Sequence, residues 1–367
     1  MTIPPTALSH AYDGQDEVFS ESFSILKSGI EKQAFPAASV AITSKGRLVG
    51  LKSFGRFTYE ASSPEATTAT IFDLASVTKV VATTTMSMIL YERGLLDLDL
   101  PVISVIPEFA SGDPRRRLVT LRMLLAHSSG LPAHEKFYLS AHDKEALLAA
   151  AFSTALSAEP GTQVVYSDIG FIILGVALER IAGETLDRFC QHEIFGPLGM
   201  THTGFNPPSA IRNSIPPTVD DRIFRHRVIQ GEVNDENAYV MGGVAAQAGL
   251  FSTAGDVAMF AQCMLCGGIP ILRSEAVALF TRRELSPDGT SRALGWDTPS
   301  QPSQSGTYFS AHSFGHWGYT GTSLWIDPVR QISVTLLTNR TWPDNSHQGI
   351  KDVRPKFHDT VMKALLA

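Results

Sequence analysis

The stretch FDLASVTKVVATTTMSMILYERG, residues 72–94, places Ser76 and Lys79 at the beginning of a long apolar helical pattern. A spacing of three residues puts both side chains on one face of the first helical turn. The unpaired N–H groups and the positive dipole end of a helix N-terminus favour an oxyanion there. Apolar neighbours would partly desolvate Lys79, and desolvation favours a neutral amine that can accept a proton from a serine hydroxyl. Taken alone, the pair also fits a capping serine and a lysine whose amine reaches solvent.

The composition of the chain excludes several classes of protein. Hydrophobic residues make up 44% of the 367 residues and charged residues 18%, which is typical of a globular protein with a sizeable core. The net charge of -6 predicts no basic surface, so neither nucleic acid nor an anionic membrane is expected as a partner.

Cys263 and Cys266 lie in an apolar helical pattern, and no second cysteine pair completes a zinc site. The first 17 residues lack the basic and apolar regions of a signal peptide, so we expect a cytoplasmic, metal-free protein.

Two β-rich regions lie near the two ends of the chain. AASVAITSKGRLVGLKSFG, residues 37–55, predicts a hairpin, and GTSLWIDPVRQISVTLLTNR, residues 321–340, predicts a second pair of strands. The segments between them have helical patterns, most of which end at glycine. We therefore predict an α/β (α+β) fold in which an antiparallel sheet flanked by helices is built from both chain ends.

The same pattern predicts the domain boundaries. Residues 18–75 and 255–367 are predicted to form the α/β domain, with the mainly helical domain, residues 76–254, inserted between them. Residues 1–17 are polar and contain proline, and we expect them to form a loose N-terminal leader. A cleft between two such domains is the usual place for a binding site, so the active site is expected there.

A tyrosine precedes one of the apolar helices of the middle region. It is Tyr166, in GTQVVYSDIGFIILG, residues 161–175. A tyrosine beside a lysine ammonium loses its proton more easily and can serve as a general base. The structural alternative is that Ser167 or Asp168 caps the helix, and that role is compatible with the catalytic one.

A glycine-containing segment leads into one of the predicted C-terminal strands. It is FGHWGYTGTSLWIDP, residues 314–328, with His316, Trp317 and Gly318 at its start. Glycine at an edge strand lets a substrate approach the backbone closely. Such a strand can also supply the second N–H of an oxyanion hole, the first coming from Ser76. Taken alone, the segment also fits a simple turn before a strand.

Together and in this order, the three motifs resemble those of the serine β-lactamase and penicillin-binding-protein superfamily. Ser-x-x-Lys is followed by a Tyr-x-Asn-like motif and then by a Lys/His-x-Gly-like motif. The chain is similar above all to the class C branch and, within it, to the β-lactamase-like carboxylesterases of family VIII. The resemblance runs from about residue 20 to the end and includes LLAHSSGLP and GLFSTAGDVAMFA. It implies the two-domain fold predicted above and no cofactor.

The resemblance also implies a role for each matching residue. Ser76 would be the acylated nucleophile, and Lys79 would hold and share its proton. Tyr166 would act as the base in acylation and, through a water molecule, in deacylation. The backbone N–H groups of Ser76 and Tyr319 would form the oxyanion hole, while His316 would flank the pocket on its strand.

Position 168 departs from the family pattern. Class C β-lactamases usually have asparagine there, whose amide donates to the carbonyl of an acylamino side chain. The ionised carboxylate of Asp168 cannot donate. It would also favour a charged Lys79, which shifts the role of base to Tyr166. This departure weakens the case for β-lactams and peptides.

The strand motif departs as well. Trp317 replaces the hydroxyl residue that helps to bind a substrate carboxylate, and it offers an apolar wall for an acyl or alcohol group. His316 in place of lysine lowers the fixed positive charge beside Gly318. Arg340 could restore some of that charge if its side chain reaches the cleft.

The sequence therefore predicts a serine hydrolase that acts through an acyl-serine intermediate. We expect a carboxylesterase whose partner is a small-molecule ester with a short acyl group. The alternatives are a β-lactamase, a D-amino-acid peptidase or amidase, or an acyltransferase with the same Ser/Lys/Tyr machinery. A non-catalytic protein on this fold is disfavoured because all three catalytic residue types are present.

Overall fold

The largest sheet of the protein draws its strands from both ends of the chain. The structure is a computed structural model that describes residues 8–367. Over this range the strands are β1 (Ser9–His10), β2 (Ala37–Ser44), β3 (Arg47–Gly55), β4 (Phe72–Asp73), β5 (Gly204–Phe205), β6 (Pro217–Asp221), β7 (Arg227–Gln230), β8 (Leu250–Ser252), β9 (Phe314–Trp317), β10 (Ser323–Asp327) and β11 (Ile332–Thr338). The six-stranded sheet has the order β1-β3-β2-β11-β10-β9, and every pair in it is antiparallel except β1–β3. This confirms the predicted sheet, with β9 as one edge.

Helices flank this sheet and fill the middle of the chain. The α-helices are α1 (Gln15–Val18), α2 (Ser20–Glu31), α3 (Thr85–Glu92), α4 (Leu121–Leu125), α5 (Lys144–Ser153), α6 (Asp168–Ala182), α7 (Leu186–Cys190), α8 (Gly196–Leu198), α9 (Glu236–Val240), α10 (Ala254–Leu265), α11 (Ser274–Thr281) and α12 (Ile350–Leu366). Short 3-10 turns span Ala75–Val77, Val102–Ser104, Pro107–Ala110, Pro114–Leu118, Phe137–Leu139 and Ser209–Ser214, and π-helical turns span Lys79–Thr84 and Gln191–Phe195. Within residues 8–367, none of these helices is long and apolar enough to cross a membrane.

The central strands are apolar on both faces because helices cover both sides of the sheet. Val40 and Ile42 of β2 pack into a cluster with the aromatic side chains of α2 and α12. Ala41, between them, packs into the larger cluster that contains α10 and the helices of the middle region. Alternate residues of a strand point to opposite faces, so a strand buried on both sides is a continuous apolar run.

The predicted leader differs from the structure. Residues 1–7 lie outside the described range. Ser9 and His10 form β1, where the Ser9 N–H donates to Gly46 O at 3.3 Å, and α1 begins at Gln15. A loose leader is therefore wrong for residues 8–17, because the free edge of β3 pairs with their backbone. The predicted domain boundaries on the remaining chain stay a prediction.

Residues 72–94 are helical from the 3-10 turn onwards, but their winding changes. The π-helical turns of Lys79–Thr84 lie between the 3-10 turn and α3. Thr85 Oγ1 donates to Val80 O at 2.9 Å, and Thr83 Oγ1 donates to Ala246 O at 2.8 Å. Hydroxyl side chains that bond carbonyls compete with the regular helix ladder. The single long helix that the apolar pattern of residues 72–94 suggests is thus replaced by three differently wound segments, Ala75–Val77, Lys79–Thr84 and Thr85–Glu92.

Candidate active site

Ser76 follows a constrained backbone turn. Ala75 has a φ of +46°, a left-handed conformation that a residue with a β-carbon rarely adopts. The carboxylate of Asp73 stabilises this turn. Its Oδ1 accepts the Ala75 N–H at 2.8 Å, and its Oδ2 accepts the Asn234 N–H at 2.7 Å. Such outliers persist where the surrounding structure enforces them, and they cluster at functional sites. The turn fixes the direction in which Ser76 leaves the backbone.

Lys79 is fully buried and uses all of its hydrogen-bonding capacity. Its Nζ donates to Ser76 Oγ at 3.1 Å, to Asp168 Oδ1 at 2.7 Å and to the Gln247 carbonyl at 2.9 Å. An ammonium group has three donors, and here each has an acceptor. Lys79 therefore contacts the candidate nucleophile directly, as the Ser-x-x-Lys spacing predicts.

The charges at this centre differ from the neutral amine that desolvation alone suggests. Burial acts to lower the pKa of Lys79, but Asp168 and Tyr166 outweigh burial and leave that pKa above its usual value. Burial acts to raise the pKa of Asp168, but Lys79 and His134 outweigh it and hold that pKa at about 2. The resting centre is therefore an ammonium–carboxylate pair, and Lys79 carries a proton that it donates to Ser76.

Tyr166 lies beside this pair. Its ring centroid is 4.9 Å from Lys79 Nζ, and its hydroxyl is buried without a well-aligned hydrogen bond to any residue of the range 8–367. Burial raises the pKa of the phenol, and the nearby Lys79 and Ser76 only partly offset that rise. Tyr166 is thus a neutral phenol at rest, and Lys79 and Ser76 are the neighbours that favour its ionised form.

The position of Tyr166 depends on the beginning of α6 and on His127. Ser167 caps the helix, since its Oγ accepts the Gly170 N–H at 3.0 Å. The Ser167 N–H donates in turn to His127 Nδ1 at 3.0 Å. The His127 ring lies 4.6 Å from the Tyr166 ring between centroids. His127 has a φ of +57° and also packs against the candidate base.

The segment after β9 is fastened to the backbone that precedes Ser76. Thr320 Oγ1 donates to Asp73 O and Thr322 Oγ1 to Leu74 O, both at 2.8 Å. A β-carbon on Gly318 would lie 2.5 Å from Leu74 O, so only glycine allows this approach. The turn of residues 318–322 and the Ser76 segment therefore form one rigid unit.

Two backbone N–H groups of this unit have no acceptor. Over residues 8–367, neither the Ser76 N–H nor the Tyr319 N–H makes a hydrogen bond to the protein. The Ser76 N–H follows the strained turn at Ala75, and the Tyr319 N–H follows the buried Gly318. Free backbone donors on adjoining rigid segments are what an oxyanion hole requires.

His316 and Trp317 flank Tyr166. The His316 Nδ1–H donates to Trp317 O at 2.8 Å, and burial, Lys79 and Arg292 keep the pKa of His316 well below its usual value. His316 is therefore neutral and supplies no fixed charge. Trp317 is 36% exposed and stacks on Tyr166 with 6.5 Å between ring centroids. Its open face forms an apolar wall next to the candidate base.

Arg340 lies behind the strand turn. Its Nε donates to Tyr319 O at 2.6 Å, its guanidinium lies 4.4 Å from the Tyr319 ring centroid, and the residue is buried. Arg354 of α12 lies on the same side, with its guanidinium 5.7 Å from the Trp317 ring. Nothing in the sequence singles out Arg354, because it belongs to an ordinary amphipathic helix pattern.

In the part of the chain that the structure describes, no group of three or more His, Cys, Asp or Glu side chains is arranged to hold a metal ion.

Comparisons with known proteins bear on the family and the fold of the chain. The family model described as Beta-lactamase matches residues 23–354. The chain is 34% identical over 343 residues to an Escherichia coli (strain K12) protein named "Putative D-alanyl-D-alanine carboxypeptidase", covering 83% of this chain and 79% of that protein. It is also similar to the solved structure of "EstCE1, a hydrolase with promiscuous acyltransferase activity", with a TM-score of 0.77, 21% identity and 95% and 99% of the two chains covered. The octameric penicillin-binding protein homologue from Pyrococcus abyssi matches with a TM-score of 0.72 and 22% identity over 92% of this chain and 75% of that one. At these identities the two solved structures speak for the fold alone.

Proposed function

The chain belongs to the beta-lactamase family of serine hydrolases, and on that premise we propose that it is a carboxylesterase that cleaves short-acyl esters through an acyl-Ser76 intermediate. The observation that carries the choice of substrate is the pairing of Asp168 with Lys79 at 2.7 Å. An ionised carboxylate at this position has no N–H to offer to an amide carbonyl of the substrate. An ester without an acylamino group needs no hydrogen bond at position 168. A peptide or a β-lactam has an acylamino carbonyl, which would lack its donor at that position.

In the proposed acylation step, Ser76 Oγ attacks the ester carbonyl carbon. The new C–O bond forms, and the carbonyl electron pair moves onto the oxygen, which the Ser76 and Tyr319 N–H groups would bind. Tyr166 acts in its phenolate form, which is the minor form at neutral pH because burial raises its pKa, and it accepts the Ser76 proton. The Lys79 ammonium, 3.1 Å from Ser76 Oγ, stabilises the negative charge that develops on that oxygen. Tyr166 then protonates the alcohol as it leaves.

Deacylation would use the same groups in the reverse sense. Water attacks the acyl-Ser76 ester and gives its proton to Tyr166, which returns a proton to Ser76 Oγ as the acid is released. Lys79 keeps its proton throughout, because Asp168 balances its charge. In this scheme Lys79 acts as an electrostatic stabiliser and Tyr166 moves the proton.

The apolar surroundings support the same substrate class. The exposed face of Trp317 can receive an acyl chain or an aryl alcohol. His316 is neutral, so the strand offers no charge there to attract a substrate carboxylate.

A second candidate is the cleavage of D-alanyl peptides. The name of the Escherichia coli relative, at 34% identity, supports it. Asp168 argues against it, because the peptide carbonyl would meet a carboxylate instead of an amide donor.

A paired assay on the wild type and on Asp168→Asn tests the proposed substrate class. The substrates are p-nitrophenyl butyrate, a chromogenic cephalosporin and a D-alanyl-D-alanine peptide. We expect wild-type kcat/KM to be about 10²-fold or more higher for the ester than for either amide substrate. The amide carbonyl of those substrates would lack a hydrogen-bond donor at Asp168, and an unpaired polar group in a binding site lowers turnover strongly. Asp168→Asn restores an amide donor, so it should raise the cephalosporin-to-ester ratio about tenfold, which is the worth of one good hydrogen bond.

The ratio is the informative quantity, because loss of the ion pair affects both substrates alike. Asp143→Asn is the matched control: Asp143 caps α5, asparagine caps equally well, and the ratio should not change. Faster turnover of the cephalosporin or the peptide than of the ester by the wild type would overturn the proposed substrate class.

A further inference from the structure

Two buried arginines lie behind the turn that follows β9, and neither is neutralised. Arg340 is 7% exposed and Arg354 is 2% exposed. Neither forms an ion pair with any carboxylate of residues 8–367. Burial, and then the neighbouring Arg340, lower the pKa of Arg354 to about 9. Burying a charge without a partner is costly, and a fold that tolerates two such charges has a use for them.

Other buried arginines of the chain show the usual solutions. Arg225 is paired with Asp221 at 2.7 Å. Arg116 contacts no carboxylate within the described part of the chain, but it donates to loop carbonyls, among them Phe109 O at 3.3 Å and Thr154 O at 2.6 Å, and so ties loops together. Hydrogen bonds from a buried arginine to backbone carbonyls therefore do not by themselves indicate a role in catalysis. The role depends on where the bound carbonyl groups lie relative to the active site.

The carbonyls bound by Arg340 and Arg354 flank the free N–H of Tyr319. Arg354 Nη2 makes a long contact of 3.5 Å with Gly318 O, which also accepts the Gly321 N–H at 3.0 Å, while Arg340 Nε donates to Tyr319 O at 2.6 Å. Gly318 O and the Tyr319 N–H belong to one peptide group. A donor on the oxygen of an amide polarises that amide and strengthens its N–H as a donor, because hydrogen bonds in a chain reinforce one another.

The two arginines also pack against the aromatic rings of the turn. Their guanidinium groups lie over the rings of Tyr319, at 4.4 Å, and Trp317, at 5.7 Å, on either side of Gly318. Over the described range 8–367, one buried guanidinium nitrogen of each arginine has no hydrogen-bond partner: Nη1 of Arg340 and Nε of Arg354. The two guanidinium groups thus place positive charge next to the turn, and the Tyr319 N–H remains available to a ligand.

We propose that Arg340 and Arg354 are positioning residues for acyl transfer, which bind the carbonyl groups of Gly318 and Tyr319 and place unneutralised positive charge behind the Tyr319 N–H. This inference rests on the proposed function, because it assumes that an oxyanion forms when Ser76 attacks. The ester carbonyl is neutral in the ground state, and its oxygen becomes negative as the Ser76 Oγ–C bond forms and the Ser76 proton moves to Tyr166. Charge behind the turn therefore favours the transition state over the bound ester, and its loss should lower kcat and leave KM nearly unchanged.

The test measures kcat and KM for p-nitrophenyl butyrate with Arg340→Met, Arg354→Met and Arg340→Lys. Removing one oxyanion donor outright lowers kcat by about 10²–10³-fold, so weakening a donor should cost less, about 10- to 50-fold in each methionine variant. KM should stay within about twofold, because uniform binding is not affected. Arg340→Lys keeps the charge and should recover most of the loss. Arg330→Met, at the far end of β10, is the control and should keep wild-type kcat.

A neutral alkyl boronic acid gives a second readout. It forms a tetrahedral anionic adduct on a serine nucleophile, and its Ki should rise in the methionine variants by the same factor as kcat falls. Replacing a buried charge by an apolar side chain removes a desolvation cost, so the melting temperature should not fall. A structural role alone would lower the melting temperature and leave the Ki of the folded protein unchanged.

The outcomes separate the arginine role from the proposed function. Wild type that is not inhibited by the boronic acid contradicts the Ser76 chemistry itself. Wild type that is inhibited, with folded methionine variants whose kcat and Ki are unchanged, overturns the arginine role alone. A rise only in the KM for a carboxylate-bearing ester also overturns that role, because the arginines would then bind a substrate anion.

Discussion

Replacing Lys79 by methionine is expected to lower kcat/KM for a short-acyl ester by at least about 10³-fold and to lower the free energy of unfolding by about 3 kcal/mol. The activity falls because the ammonium that donates to Ser76 Oγ at 3.1 Å is lost. The stability falls because Asp168, whose side chain is only 22% exposed, keeps its negative charge after its fully buried partner at 2.7 Å has gone. Breaking a buried pair by removing one member is costly even where the intact pair contributes little.

The double variant Lys79→Met/Asp168→Asn separates these two effects. It removes both charges, so it should regain most of the lost stability in urea denaturation, while its activity stays as low as that of Lys79→Met. Lys52→Met is the matched control, because Lys52 pairs with Asp16 at the surface and such pairs contribute about 0–1 kcal/mol. If Lys79→Met folded and hydrolysed the ester within tenfold of the wild type, Lys79 would have no part in the chemistry.

Replacing Tyr166 by phenylalanine is expected to lower kcat about 10³-fold without any loss of stability. The hydroxyl is buried and has no well-aligned hydrogen-bond partner among the residues that the structure describes, so the fold does not depend on it. The ring remains, and with it the contacts to His127 and Trp317. Tyr59→Phe is the control: its hydroxyl donates to Gln33 O at 2.8 Å, away from the site, and activity should not change.

The pH profile gives the same test in the wild type. Burial raises the pKa of Tyr166 above its usual value, so the phenolate that acts as base is scarce at neutral pH and increases as the pH rises. kcat/KM should therefore increase by about tenfold per pH unit from pH 7 towards pH 10. The raised pKa of Lys79 keeps the ammonium charged over that range. A plateau below pH 8, or an equal slope in Tyr166→Phe, would assign the titrating base to another group.

Much of the fold follows from local patterns. The two β-rich runs predict β2, β3, β10 and β11 because apolar strands bounded by Lys45-Gly46 and Asp327-Pro328 turns have few other solutions. The loose leader is wrong because the pairing of β1 depends on an edge strand about 40 residues further along the chain. A polar segment carries no local sign of such a partner.

The contacts of the site likewise divide into those that local sequence spacing predicts and those that form only between distant parts of the chain. The contact of Ser76 with Lys79 is a consequence of helix spacing, and the charged state of Lys79 is one consequence that the Asp168 departure predicts. The third acceptor of Lys79, the Gln247 carbonyl, lies 168 residues away in sequence. Backbone acceptors have no sequence signature, so only the folded chain reveals them.

The role of Ser76 as the nucleophile is decided by the mass of the protein quenched during turnover of a slowly hydrolysed ester. We expect the intact mass to increase by one acyl group and peptide mapping to locate that group on Ser76. Ser76→Ala should show neither the adduct nor ester turnover above background. An adduct on another residue, or ester hydrolysis that persists in folded Ser76→Ala, would contradict the assignment of Ser76 as the nucleophile.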